Sequence, residues 1–284
     1  MYLGCTVWQT STAGQTPNNH TKRTMSTDVA IPEGKRLNKY GDLENLDLTV
    51  EDWMTRWEKK HIGFHKHEIH KLLQKHLDTI LNGRKQICIF IPLCGKSLDM
   101  KWLADQGHTV VGVEVSKIAV KELFAEQNLS YTQEPVPGIP GAEVFKSSDG
   151  QLSLFNCDMF EFSSLIAGKF DGIWDRGSLV AINPSDRQRY AKLMTKLMAN
   201  GCQYLLDTVA YDQNKCAGPP FSTPKLAIQE LYGQSCNIQL IETTDALTDR
   251  QRSWGLDSFI EQIHLVTLKT DVDSCAFMEE HKLH

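Results

Sequence analysis

Within the stretch "CIFIPLCGKSLDMKW", the triplet Gly95-Lys96-Ser97 ends the way a phosphate-gripping loop ends. Such a loop, G-x-x-x-x-G-K-[ST], needs a second glycine five residues before Gly95, and Phe90 stands there. Without it the row of backbone N–H donors that cradles phosphate is missing. Glu114 follows Gly95 by nineteen residues, the spacing at which a carboxylate beyond a second strand accepts both ribose hydroxyls of an adenosine group. Asp158 and Met159 close a third apolar run, placed to flank an adenine ring. The loop has a single glycine rather than G-x-G-x-x-G. A pyrophosphate needs several N–H donors from such a turn and a phosphate-free adenosine does not, so the pattern favours S-adenosylmethionine over NAD. The competing reading of Glu114 is a solvated strand end.

Other residues have chemistry open to them. Asp175-Arg176 ends a further apolar run; a structural ion pair is the ordinary reading, a substrate-docking strand end the functional one. Trp53 and Trp57 stand one helical turn apart and read by themselves as core anchors of an amphipathic helix. His61, His65, His67 and His70 invite a metal reading, but "HEIH" is one residue short of H-E-x-x-H and no carboxylate or cysteine completes a set, so no metal is expected. Cys94 borders the glycine turn and reads as a small buried filler.

The elements that must position these residues alternate. Leu48–Leu81 reads as helix with one break near Gly63, opened by a capping box at Thr49 and Asp52. "QICIFI", "TVVGVEVS", "LSLFNCDMF", "FDGIWDRG" and "QYLLDTVAY" read as buried strands, separated by helical segments such as "SLDMKWLADQG", "KIAVKELFAEQN" and "DRQRYAKLMTKLMANG", the last closing at Gly201. A turn-rich interruption from Glu134 to Gln151 holds a hairpin, and "NIQLIETTD" and "FIEQIHLVTLKT" are two last strands with no long helix between them. The pattern predicts an α/β fold: a doubly wound, mostly parallel, seven-stranded sheet with helices on both faces. One domain spans 46–270, with 48–81 as its helical N-terminal region, 1–45 as a disordered N-terminal tail and 271–284 as a loose C-terminal tail. Ligands in such a sheet sit beyond the carboxyl ends of the strands at the switch point.

Composition narrows the rest. Of 284 residues 41% are apolar and 23% charged, the balance of an ordinary globule, and the net charge of −5 argues against a nucleic-acid binder. No apolar run approaches the roughly 20 residues that cross a bilayer. Eight scattered cysteines without a C-x-x-C pair suit reduced thiols and a cytoplasmic protein. Two N-x-[ST] matches, at Asn19 and Asn128, read as chance without a secretion signal. The start of the chain carries no secretory signal, a transit peptide is the lesser reading, and Met25 is a plausible later start. With no oligomeric signal, a monomer is expected.

The segments "PLCGKSLDMKWLADQGHTVVGVEVS", "FDGIWDRGSLVAINPSDRQRYA", "GPPF" and "RSWGLD", together with Trp53, Trp57 and Phe64, resemble the thiopurine S-methyltransferase family from about Leu48 to Lys269. The resemblance implies a class I methyltransferase fold of Rossmann-like type with a mobile helical segment over the active site. Carried over by residue, it implies cofactor contacts at Trp53, Trp57, Phe64, Leu93, Gly95, Glu114, Asp158, Met159 and Arg176. Phe64, Arg176, Pro219, Pro220 and Arg250 would line the thiopurine pocket. Asp158 stands where the family often has a smaller polar residue, and "LTDRQR" diverges before "SWG" resumes near Arg250. The activity implied is methylation of aromatic and heterocyclic thiols by S-adenosylmethionine, with a small-molecule thiol as the partner. Asp175 is the expected proton acceptor, with Arg176 and Arg250 orienting the ring and favouring its anionic form. The alternatives are a halide, sulfide or selenium/tellurium methyltransferase and a non-catalytic adenosyl-ligand sensor; a dehydrogenase is least favoured.

Overall fold

The computed structural model describes residues 31–38 and 40–270. Residues 1–30 and 271–284, read from sequence as tails, lie outside the described residues. A hairpin of β1 (Lys35–Leu37) and β2 (Leu43–Asn45) precedes helix α1 (Val50–Glu58), and two short helices, α2 (Lys71–Lys75) and α3 (Leu77–Leu81), lead into the sheet. Alternation follows: β3 (Cys88–Ile91), α4 (Leu98–Asp105), β4 (Thr109–Val113), α5 (Lys117–Glu126), β5 (Tyr131–Pro135), β6 (Glu143–Ser147) and β7 (Leu152–Asn156). Then come α6 (Ser164–Ala167), β8 (Phe170–Arg176), α7 (Arg187–Leu197), β9 (Met198–Ala210), α8 (Lys225–Tyr232), β10 (Cys236–Asp245), α9 (Asp249–Arg252) and β11 (Ile260–Leu268).

The large sheet runs β10-β11-β9-β8-β3-β4-β7-β6-β5. Strands β7, β4, β3, β8 and β9 are mutually parallel, and β11 is antiparallel to both its neighbours. Chain order reverses on either side of β3, so the switch point lies where β3 and β8 end. The central strands read as unbroken apolar runs because both faces are covered: Ile89, Phe90 and Ile91 are all buried. The two faces carry the large core clusters, one under α7 and α8, the other under α2, α3, α4 and α5, and a smaller one gathers Val180, Val209, Leu256 and Phe259. At Gly172 in β8 a Cβ would fall 2.6 Å from Cγ2 of buried Ile80, so α3 lies directly on the strand. Gly172→Ala is therefore expected to cost about 1–3 kcal/mol, read as a lowered urea midpoint without a change of slope.

Four expectations are corrected. The sheet has nine strands, because the predicted hairpin (β5 and β6) continues it past β7, burying Val144 and Phe145. Its outer strand carries Gln133, Glu134 and Pro135, residues that discourage further pairing. The tail reading fails for 31–45: Glu44 is buried and accepts from Arg36 Nε (2.9 Å) and Arg56 Nη2 (2.7 Å), tying the β1–β2 hairpin to α1. Helix α7 stops at Leu197 rather than at Gly201, because Met198 already pairs with Phe170 and its side chain is buried. Finally, Leu48–Leu81 is not helical with one break. The capping box at Thr49 and Asp52 forms as expected, but α1 ends at Glu58 and residues 59–70 hold no regular element. Among the described residues no helix is long and apolar enough to cross a membrane.

Candidate functional site

The turn after β3 is a strained loop held from below. Leu93 (φ +42°) and Gly95 (φ +54°) both adopt left-handed backbone, and the Cys94 N–H donates to the Val113 carbonyl of β4 at 3.0 Å. Glu114, 5% exposed, faces this turn. One carboxylate oxygen accepts the Gly95 N–H (2.9 Å) and the other the Ser116 N–H (2.7 Å). Burial pushes its carboxyl up to about 7, with the backbone amides pulling the other way. Each oxygen keeps a lone pair for a hydroxyl donor, the arrangement a vicinal diol requires. Asn156, which sequence reasoning passed over, donates from its amide to the Glu114 carbonyl (2.9 Å) and the Val115 carbonyl (2.8 Å). Its signal was a polar residue at the carboxyl end of an apolar strand. The triplet Gly95-Lys96-Ser97 grips no phosphate: Lys96 is buried against Glu122 (2.9 Å) and Glu126 (2.6 Å), and Ser97 caps α4.

An aromatic cover closes over the turn. Trp57, 3% exposed, packs so near that a Cβ on Gly95 would meet its Cζ2 at 3.1 Å. Phe64, 36% exposed, lies edge-on to Trp53 (5.8 Å) and Trp57 (5.7 Å). Its chain is pinned by two arginines on consecutive carbonyls: Arg176 Nη1 donates to the Phe64 carbonyl (3.2 Å) and Arg250 Nη1 to that of Gly63 (2.6 Å). Helix α1 itself ends locally: Lys60 turns left-handed (φ +57°), its N–H donates to the Trp57 carbonyl (3.2 Å), and the His61 N–H donates to the Arg56 carbonyl (2.8 Å). Positive charge gathers here. Burial, then Arg176 and Arg250, hold the Lys66 ammonium below its usual range, and burial, then Lys96 and His67, draws His65 down to about 4.

A sequence model described as thiopurine S-methyltransferase matches residues 48–269. The chain belongs to the thiopurine S-methyltransferase family. It is 50% identical over 236 residues to the thiopurine S-methyltransferase of Canis lupus familiaris, covering 82% of this chain and 96% of that one. It is 51% identical over 226 residues to that of Rattus norvegicus, covering 80% and 94%. The same sheet and helices recur in a Burkholderia thailandensis 1,6-didemethyltoxoflavin-N1-methyltransferase bound to S-adenosylhomocysteine, at TM-score 0.51 and 14% identity over 77% of this chain and 87% of that one. At that identity the likeness concerns the fold, a Rossmann-like class I methyltransferase, as the sequence implied.

Of the residues that the family resemblance singled out, Trp53, Trp57, Phe64, Gly95, Glu114, Arg176 and Arg250 form one connected set through the contacts above. Leu93 lies in the same turn, and Met159 is buried beyond β7. Asp158 does not end a strand: β7 stops at Asn156, and Asp158 caps a short 3-10 helix by accepting the Phe160 N–H at 2.9 Å. Pro219 and Pro220 sit in the loop before α8, where Tyr211 donates to the Pro220 carbonyl (2.6 Å) and the Phe221 N–H to that of Val180 (2.7 Å).

Asp175 is a correction. It was expected to accept a proton from the acceptor, but it is 0% exposed, on the opposite face of β8 from Arg176. Its carboxylate accepts from Tyr204 (2.7 Å), Tyr190 (2.8 Å) and the Leu179 N–H (3.1 Å), and Tyr204 lies 3.0 Å from the Tyr232 hydroxyl. Burial raises its carboxyl while these donors pull it back. The group anchors the sheet to α7 and α8 and is sealed from any ligand.

The histidines are also redistributed. His61 stacks on Tyr40 (3.8 Å) and reaches Asp42 (3.1 Å), whereas His70 meets two carboxylates that no local pattern announced, Asp207 and Glu261.

Proposed function

We propose that the chain transfers the methyl group of S-adenosylmethionine to the sulfur of aromatic and heterocyclic thiols, thiopurines among them, releasing S-adenosylhomocysteine. The observation that carries this reading is the buried Glu114 carboxylate at the glycine turn, with a lone pair spare on each oxygen and an aromatic cover above. Those features fit an adenosyl group: Glu114 would hold the ribose, Gly95 admits close approach, and Trp57 and Trp53 offer aromatic faces to a cation. The donor supplies an already activated methyl on a sulfonium.

What the chain adds is placement. Thiols on electron-poor rings ionise near neutrality, so a strong base is dispensable, and among the site residues above none is a free carboxylate facing the cover. Arg176 and Arg250, with Lys66 beside them, favour an anionic sulfur electrostatically. Holding nucleophile and methyl carbon at roughly 3–3.5 Å and excluding water then supplies most of the rate. An acceptor slot lined by Phe64, Arg176, Arg250, Pro219 and Pro220, as the family resemblance implies, would suit a flat organic thiol better than a halide or sulfide. We take the protein to act as a monomer.

The deciding experiment is incubation with labelled S-adenosylmethionine and a panel of thiols, including 6-mercaptopurine and thiophenol. Saturable formation of methyl thioether with a stoichiometric demethylated product is expected. Tight uptake of S-adenosylhomocysteine with no turnover on any thiol would mean a sensor instead. Arg250→Ala is expected to raise KM for an anionic thiol by roughly tenfold, the worth of one charge-assisted bond, with a smaller change in kcat. An unchanged KM for ionised thiols would remove Arg250 from the acceptor slot.

A further inference from the structure

We propose that His70, Asp207 and Glu261 form a binding site for one divalent transition-metal ion of the zinc class. The proposal stands apart from methyl transfer and concerns a cluster that methylation does not use. The three side chains come from the loop before α2, from β9 and from β11, and each presents a ligand atom within 4.8 Å of the others. His70 Nε2 lies 3.6 Å from Glu261 Oε1 and 3.9 Å from Asp207 Oδ2. In a tetrahedral centre with bonds of about 2.0–2.2 Å, ligand atoms are about 3.3–3.6 Å apart, so small side-chain movements suffice.

The supports are already set. The His70 backbone N–H donates to Asp99 Oδ1 (2.8 Å), Trp174 Nε1 donates to the other oxygen of Asp99 (2.9 Å), and the His70 ring lies against Trp174 at 5.5 Å. The backbone of His70 is thereby held, and its ring presents Nε2 to the carboxylates. Glu261 pairs in register with Val209, two residues from Asp207, so both carboxylates leave the same face of the sheet.

A second observation points to a missing ligand. Asp207 is 5% exposed, and its Oδ1 is buried with no hydrogen-bond partner. A buried carboxylate facing a second carboxylate, with one oxygen unpaired, is costly unless a cation or proton joins them. One imidazole and two carboxylates are the donors of zinc, cobalt or manganese; magnesium and calcium prefer oxygen alone. Three protein ligands leave a fourth position for water. Arg176 and Lys66 face the cluster and oppose a cation, whereas Asp99 and Asp175 favour one. A bound ion would staple the base of the aromatic cover, residues 59–70, to the sheet.

The test uses the full chain, dialysed against a chelator and titrated calorimetrically with zinc chloride. One saturable equivalent is expected, weakened at least tenfold by Asp207→Asn and by His70→Gln, with folding of each variant verified by circular dichroism. Should either variant misfold, the partly exposed Glu261→Gln is expected to show the same loss. Cobalt substitution is expected to give ligand-field bands without thiolate charge transfer. Zinc binding that is absent, that survives all three substitutions, or that carries a thiolate signature would overturn the site.

Discussion

Replacing Glu114 by alanine is expected to weaken S-adenosylhomocysteine binding by about a hundredfold or more, measured by titration calorimetry. On the proposed reading the substitution removes the two charge-assisted bonds that Glu114 would make to the ribose hydroxyls, each worth about 1.5–3 kcal/mol. It also frees the Gly95 and Ser116 amides that the carboxylate now orders. A pH signature accompanies the loss. With the carboxyl pushed up to about 7 by burial, much of the ligand-free protein is protonated there just below neutrality. The ionised form is the better acceptor, so affinity should rise as pH climbs through about 7 and level off above it, with a proton released on binding. Glu114→Gln should abolish that slope while keeping one acceptor oxygen. The linkage to folding has the opposite sign. The folded protein holds this proton more tightly than the unfolded chain, so its stability contribution declines from the ordinary glutamate range up to about 7. The full cost is on the order of 3 kcal/mol. A flat affinity profile in the parent protein would remove Glu114 from the cofactor site.

Asp175→Ala should have the largest effect on stability, about 3–5 kcal/mol in urea unfolding. It leaves the buried Tyr190 hydroxyl and Leu179 amide without their acceptor and the Tyr204 hydroxyl with Tyr232 alone. Against a typical total of about 5–15 kcal/mol, such a loss leaves a marginal fold. Asp175→Asn keeps the shape and one acceptor oxygen, so a smaller loss is expected and the pH profile of kcat should retain its form. A proton acceptor at the active site would behave differently: the asparagine variant would recover activity as pH rises and would cost little stability. The two measurements on one variant separate anchor from base.

How much was legible beforehand depends on how far each feature reaches. Ile89-Phe90-Ile91 and Val110–Val113 announce buried strands through their own side chains, and Thr49 and Asp52 announce a helix start because both partners of the cap lie within one turn. The pairing of Gly95 with Glu114 was legible for a related reason. A strand, a helix and a parallel strand form one right-handed unit of nearly fixed length, so nineteen residues return the chain to the next strand's carboxyl end.

Sequence by itself determined the doubly wound sheet, its switch point and the meeting of Glu114 with the glycine turn, since these follow from apolar runs and short-range chain geometry. Tertiary structure alone decided that Asp175 turns inward while Arg176 turns to the aromatic cover, because one step of pleat sends neighbours to opposite faces. It also decided where the chain at Gly63 and Phe64 lies, since Arg176 and Arg250 capture their carbonyls from more than a hundred residues away. Likewise it folded 35–45 into a hairpin around the ions of Glu44, and set His70 against Asp207 and Glu261. Each depends on which strands lie side by side, and that is a property of the packed sheet rather than of any local stretch of chain.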